Sequence, residues 1–243
     1  MLRIRADSHS DKGDRSDNED RAVVLRDGRV CALADGVGGQ RGGEVASCLA
    51  METAEQWVGD GRLGEGDESP PIQLLQLFQG ANQRILDRAR EEYQLADMGT
   101  TLTVALIGER LHFAHIGDSR LYLWRGDSCR LLTEDHTTAQ EMVCQGWLTV
   151  EAASRSRYRH ILSRCLGTVR TVEPQVGAEE LRGGDRLLLC SDGLYDTVTA
   201  DNLERMLGRE QSPGEIAHSL VDAARRGRTS GLDNVTALVI LLD

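Results

Sequence analysis

No stretch of this chain approaches the roughly 18 consecutive apolar residues that a membrane-spanning helix requires, and Met1 to Asp14 carries no apolar secretion segment. A cytoplasmic location without membrane attachment is therefore expected. The six cysteines, Cys31, Cys48, Cys129, Cys144, Cys165 and Cys190, lie far apart and form no CxxC pair. That spacing excludes a zinc knuckle and a disulfide framework, and predicts mostly buried thiols. None of the six is followed by an arginine six residues on, so a thiolate facing a phosphate-binding loop is excluded too. The phosphate loop GxxxxGK[ST] is also missing, which removes support for a nucleotide hydrolase. Lysine is nearly absent, with Lys12 alone among 28 basic residues, a bias that carries no functional meaning.

Against those 28 basic side chains stand 39 acidic ones, for a net charge of −11. Nucleic-acid binding depends on neutralising phosphates with Lys and Arg, so this balance argues against it. Acidity instead favours divalent cations. With 40% hydrophobic and 28% charged residues, the 243-residue chain can bury a substantial core. No linker divides it, so residues 1–243 are expected to form one domain, and a monomer.

Alternation in Leu2 to Ala6 and the run Arg29 to Ala34 predict strands, with Asp27-Gly28 as a hairpin turn before the second. Val45, Leu49, Ala50, Thr53, Ala54 and Trp57 share one face of a helix from Gly42 to about Val58. A second helix is expected from Ile72 to about Leu95, after a Gly-, Pro- and acid-rich loop over 59–71. Four β-rich runs follow, Thr100 to Ile107, Leu111 to Ile116, Leu121 to Trp124 and Cys129 to Leu132, read as one antiparallel meander. Short helices from about Thr138 to Leu166 precede a strand at Arg186 to Cys190, helices near Ala200 to Leu207 and Pro213 to Arg225, and a last strand at Val235 to Leu242. Paired helices between strands predict an α+β fold in four layers, α-β-β-α, with two antiparallel sheets flanked by helix pairs.

Five segments place an acid where a strand meets a loop: Asn18-Glu19-Asp20, Asp35-Gly36-Val37-Gly38-Gly39, Gly117-Asp118-Ser119-Arg120, Ser191-Asp192-Gly193-Leu194 and Asp233-Asn234. An Asp-Gly pair alone is usually a turn, the reading kept for Asp27-Gly28 and Asp60-Gly61. Asp35 and Asp192 differ because each follows a continuous apolar run that carries its strand into the core. Carboxylates there need compensation, and a divalent cation provides it. Clustered oxygen ligands without paired His or Cys suit Mg2+ or Mn2+ rather than zinc.

Taken in order, SDKGDRSDNED, ADGVGG, GTT, HIGDSR, LTEDHT, SDGLYD and GLDNVTALVI resemble the motif set of the type 2C, or PPM, metal-dependent protein phosphatases, over Ser10 to Ile240. The resemblance implies a protein serine/threonine phosphatase with two Mn2+ or Mg2+ ions at one end of a β-sandwich, working through a metal-bridging hydroxide. Asp20, Asp35, Asp192 and Asp233 then correspond to the metal ligands, with Asp35 bridging, the Gly36 carbonyl as a further contact and Glu19 acting through water. Asp118 with Asp192 resembles the pair that holds a weaker third metal in bacterial members. Arg15 corresponds to the phosphate clamp, where a guanidinium donates two parallel hydrogen bonds; its bland alternative is a surface ion pair. The leaving oxygen takes its proton from metal-bound water or from a side chain.

Two departures stand out. Gly13 and Arg15 are separated by one residue where the family usually has two, and Val37 occupies the place of a histidine proposed as general acid in many eukaryotic members. His115, His136 and His160 are secondary candidates, each expected to be structural. A variable flap is expected at about 137–168, where Ser156-Arg157-Tyr158-Arg159-His160 replaces the His-Pro-x-Arg-Asn of many bacterial relatives. Together with Arg155 it makes a basic patch suited to phosphorylated or acidic surfaces, or simply a solvated edge. Phosphoproteins of a cognate Hanks-type kinase are the implied partners, with type VI secretion as one setting. The competing class is a catalytically silent phosphoprotein-binding module on the same fold, which would be expected to have lost metal aspartates.

Overall fold

Hydrophobic runs that lack alternation form strands buried on both faces, and these set the architecture. The computed structural model describes residues 2–38, 42–65, 68–228 and 230–243. In its first half lie β1 (Ile4–Asp11), β2 (Asp20–Leu25), β3 (Val30–Val37), α1 (Gly42–Gly59), α2 (Pro70–Glu91), β4 (Gly99–Thr100), β5 (Leu102–Ile107), β6 (Arg110–Ile116), β7 (Arg120–Arg125) and β8 (Ser128–Leu131). The second half adds α3 (Thr138–Cys144), α4 (Val150–Ala153), β9 (Gln175–Glu180), β10 (Arg186–Cys190), α5 (Asp192–Tyr195), α6 (Ala200–Leu207), α7 (Pro213–Gly227) and β11 (Val235–Leu242).

The strands form two antiparallel sheets, ordered β1-β11-β10-β7-β8 and β2-β3-β5-β6-β9, with β4 paired to β3. Successive side chains of a strand point to opposite faces, and β10 shows the result. Leu187 and Leu189 pack between the sheets with Leu33, Leu121, Leu238 and Ile240, whereas Leu188 and Cys190 face outward beneath α6 and α7. The other sheet is covered in the same way by α1 and α2, through Ala46, Ala50, Trp57, Leu74, Phe78 and Ile85. The four-layer α+β arrangement expected from the sequence is the one observed. A capping box at Ser212 and Glu215, with Pro213 in the first turn, starts α7. No described helix is long and apolar enough to cross a membrane.

Several local expectations need correction. The four central β runs are not one meander: β5 and β6 belong to one sheet and β7 and β8 to the other, with the chain crossing between sheets at Gly117-Asp118-Ser119. Apolar alternation encodes which residues are buried but not which sheet receives them. Strand β9 was not anticipated because Gln175–Glu180 has no apolar run; it pairs with β6 alone, at a sheet edge. Helix α2 ends at Glu91, and Tyr93–Leu95 forms a separate 3-10 turn. Strand β3 continues to Val37, so Asp35 lies inside it. Of the cysteines only Cys31, Cys165 and Cys190 are buried, and Cys144 is exposed. Gly39 of the ADGVGG motif falls outside the described residues.

Candidate metal centre

The sheet registers bring the acids to one end of the sandwich. Asp20, the first residue of β2, sits directly opposite Asp35 of β3. Strands β10 and β11 run antiparallel with Cys190 opposite Ala237, so Asp192 just beyond β10 and Asp233 just before β11 emerge together. Asp11, at the end of β1, pairs with Val235 and delivers the loop holding Arg15 and Glu19 to the same place. The crossing from β6 to β7 presents Asp118 there as well.

Small residues let these segments approach. A Cβ on Gly36 would stand 2.1 Å from the Gly43 carbonyl oxygen, so only glycine lets the start of α1 press against the acid-bearing strand. Likewise a Cβ on Gly193 would fall 2.2 Å from the Asn234 carbonyl oxygen. Hydrogen bonds then fix the backbone. Thr101 Oγ1 accepts from the Asp35 amide at 2.9 Å and shares a proton with Ser119 Oγ at 2.7 Å, while Thr100 Oγ1 donates to the Asp35 carbonyl. Asn234 ties the loop between β1 and β2 to the start of β11: its Oδ1 accepts from the Glu19 amide at 2.8 Å, and its Nδ2 donates to the Lys12 and Asp17 carbonyls.

Electrostatics inside this frame are unbalanced. Asp20 is 2% exposed; its Oδ2 accepts from Ser191 Oγ and Thr236 Oγ1, both at 2.7 Å, and its buried Oδ1 has no partner. Burial outweighs the two hydroxyls, and with Asp192 and Asp233 near by it pushes the Asp20 carboxyl up to about 7. Asp35 retains some solvent-accessible surface, yet burial of its carboxyl, followed by repulsion from Asp20, Asp192, Asp118 and Asp233, raises it well above the ordinary range. Asp118 is raised by burial and then by Asp192. Glu19 is raised by burial, against the pull of Arg15.

Arg15 donates from Nη2 to Asp233 Oδ2 at 2.6 Å, with most of its side chain exposed. It thus contacts one of the acids and keeps other N–H groups available. His160 also belongs here, since Asp118, His160 and Asp192 each offer a ligand atom within 4.8 Å of the others. Among the described residues they are the one group of three acidic or metal-binding side chains that approaches so closely. His160 also lies 3.0 Å from Asp196, and the hydrogen bonds with Asp192 and Asp196 hold its imidazole above its ordinary value. The other two histidines are packed into the frame. His115 bridges Thr103 Oγ1 and the Gly117 carbonyl, and burial lowers it to about 3; His136 Nδ1 accepts from the Gly117 amide.

An orphaned buried carboxylate oxygen, hard oxygen donors from several strands and no Lys or Arg contact to Asp20 or Asp35 among the described residues fit a divalent cation. The family model for protein phosphatase 2C matches residues 5–224. The chain belongs to the protein phosphatase 2C family. This type 2C chain is 40% identical over 246 residues to the serine/threonine protein phosphatase PstP of Mycobacterium tuberculosis, covering 98% of the chain and 45% of that longer protein. It therefore spans about half the length of that curated relative. The crystal structure of the catalytic domain of PstP in complex with two manganese ions superposes with a TM-score of 0.87 at 38% identity, over 100% of this chain and 99% of that one. PppA, described as a key regulatory component of the type VI secretion system in Pseudomonas aeruginosa, superposes at 0.77 with 27% identity over 99% and 98% of the two chains.

Three residues of this type 2C site were not singled out from the sequence as members of it, and a fourth, His160, was a secondary candidate expected to be structural. Asn234 stood inside a motif, but its part in tying the β1–β2 loop to the start of β11 did not follow from residue type. Ser191 and Thr236 look like ordinary strand-end hydroxyls until Asp20 is placed between them. His160 faces the acids because the chain after α3 folds back, with the Thr138 amide donating to the Ile161 carbonyl and the Ser163 amide to that of His136.

Proposed function

We propose that the chain is a metal-dependent protein phosphatase that hydrolyses phosphoserine and phosphothreonine, with residues 1–243 acting as one catalytic domain that carries a flap at 137–168. One observation carries this reading: Asp20 is buried with an unpartnered oxygen directly across from Asp35, with Asp118, Asp192 and Asp233 around them. Such an arrangement is unfavourable in isolation and favourable around cations. The manganese-bound fold relative and the family match support it.

Asp20, Asp35, Asp192 and Asp233 would hold two Mn2+ or Mg2+ ions, with the Gly36 carbonyl as a further oxygen and Glu19 contributing through water. Asp118 and Asp192 would hold a weaker third. When bound, the ions supply an activated water and neutralise charge on the phosphoryl group during in-line displacement. The chain's own residues orient and restrain. Ser191 and Thr236 fix Asp20, Thr100 and Thr101 hold the strand at Asp35, and Asn234 sets the position of Glu19. Arg15 would bind the substrate phosphate with N–H groups that Asp233 leaves available. The same reading places the protein in the cytoplasm as a monomer opposing a Hanks-type kinase, and the PppA likeness supports type VI secretion as its setting.

Incubation with a small aryl phosphate and Mn2+ is expected to release phosphate, and EDTA to stop the release. Undiminished hydrolysis in EDTA would overturn the proposal.

A further inference from the structure

Charge is distributed unevenly in this acidic chain. Residues 152–172 contain Arg155, Arg157, Arg159, Arg164 and Arg170 and no Asp or Glu, so all 39 acidic residues lie elsewhere. All five arginines are exposed. The segment is held against the acid cluster through His160, 3.4 Å from Asp192 and 3.0 Å from Asp196, and through Arg159, 3.2 Å from Asp196. Arg155 forms no ion pair with the described residues, and Arg157 lies over the Tyr158 ring at 4.7 Å.

Beside this edge runs a polar cleft of about 360 Å³ between the flap helices and α5, lined by Gln140, Ser154, Arg159, His160, Tyr195 and Asp196 among others. Its two acids are already compensated. Asp135 accepts from Arg120 at 2.9 and 2.7 Å, and Asp196 is paired with Arg159 and His160. Arg155 and Arg157 lie outside the cleft lining, exposed in the same segment that His160 holds 3.4 Å from Asp192, so a substrate chain leaving the metal centre on this side would meet positive charge rather than the negative field of the remaining surface. Exposed charges act over about 8 Å at physiological ionic strength, so the patch selects groups near the reacting residue.

Resting on the phosphatase reading, we propose that the flap arginines Arg155 and Arg157 make the enzyme prefer phosphosites flanked by acidic residues. Such a patch adds encounter rate and modest affinity, so the preference appears in KM and is reduced by salt.

The test uses two phosphothreonine peptides that differ only in Asp or Lys at the flanking positions, with the Mn2+-loaded full chain. The acidic peptide is expected to have a kcat/KM about tenfold higher at low ionic strength, through KM, and the gap is expected to shrink as salt is added. In an Arg155→Glu, Arg157→Glu double variant the ratio between the peptides should fall to one or invert. Because each enzyme supplies its own ratio, a general loss of activity does not affect the comparison. Arg205→Glu, an exposed change on α6, should retain the wild-type ratio. Equal kcat/KM for the two peptides, or a wild-type ratio in the double variant, overturns the inference and leaves the phosphatase reading intact. Arginine-dependent sedimentation with phosphatidylserine vesicles without peptide preference also overturns it, assigning the patch to a lipid surface. If neither peptide nor the aryl phosphate is hydrolysed, the phosphatase reading falls and the inference with it.

Discussion

Asp20 and Asp185 are buried aspartates flanking the same sandwich, 2% and 1% exposed, and they have opposite surroundings. Asp185 precedes β10 and accepts from Arg125 Nε and Nη2, both at 2.7 Å, and from the Arg182 amide at 2.8 Å. Asp20 lies beyond the far end of β10, where among the described residues it meets two hydroxyls, other carboxyls and no cationic side chain. One acid has its compensating charge built into the chain; the other has a place for a charge that the described residues do not supply. Burial of an acid therefore does not mark a functional site, whereas burial without a partner does.

The sharpest way to break this comparison is to neutralise one member of each class. Asp35→Asn should lower kcat on an aryl phosphate by about a thousandfold, about 4 kcal/mol of transition-state stabilisation, whereas Asp185→Asn should leave kcat within a few-fold of wild type. Equal losses in steady-state assays would remove the distinction. Stability should show the reverse order: Asp185→Ala leaves Arg125 and the Arg182 amide without their acceptor and should cost about 2 to 3 kcal/mol in urea denaturation.

Next in size is a pH effect seen only without metal. Asp20 titrates near 7 in the folded chain against an ordinary 3.8, and Asp35 and Asp118 are shifted in the same direction. Over the range between those values the folded state binds more protons than the unfolded one, so these groups lower stability as pH rises. His160, raised to about 10, acts in the same sense above its ordinary 6.5, while His115 and His136, lowered to about 3 and 4, exert their effect below it. The Tm of EDTA-treated protein should therefore fall from pH 6.5 to 8.5, and Mn2+ should raise Tm most at the upper end. A flat profile by scanning calorimetry would argue against the uncompensated cluster. The smallest expected effect is that of Thr236→Val, which removes one of two hydroxyls from Asp20 and should cost the metal-free protein about 1 kcal/mol in the same denaturation measurement.

How far the sequence could be read follows from the same pair. The run Leu187 to Cys190 announces a buried strand, and both Asp185 and Asp192 flank it, so pattern alone does not separate a structural acid from a candidate ligand. The resemblance carried by the ordered acidic motifs singled out Asp20, Asp35, Asp118, Asp192 and Asp233, and the registers bring these carboxylates to one end of the sandwich. What decides Asp185 is Arg125, sixty positions earlier and brought near by the β7–β10 pairing. Thr236 was illegible, and His160 no more than a secondary candidate, for a similar reason, because their partners are set by the packing of β11 against β2 and by the fold-back of the chain after α3. Strand β9 escaped notice because Gly177, over which the Phe113 ring closes, leaves no apolar signal at that edge. Local pattern reveals what is buried, and long-range pairing determines with whom.

The most direct measurement is anomalous diffraction at the manganese edge from crystals soaked in Mn2+. The account predicts two strong peaks enclosed by Asp20, Asp35, Asp192, Asp233 and the Gly36 carbonyl, and none beside Asp185. Ordered manganese elsewhere in the crystal, with those carboxylates holding none, would contradict it.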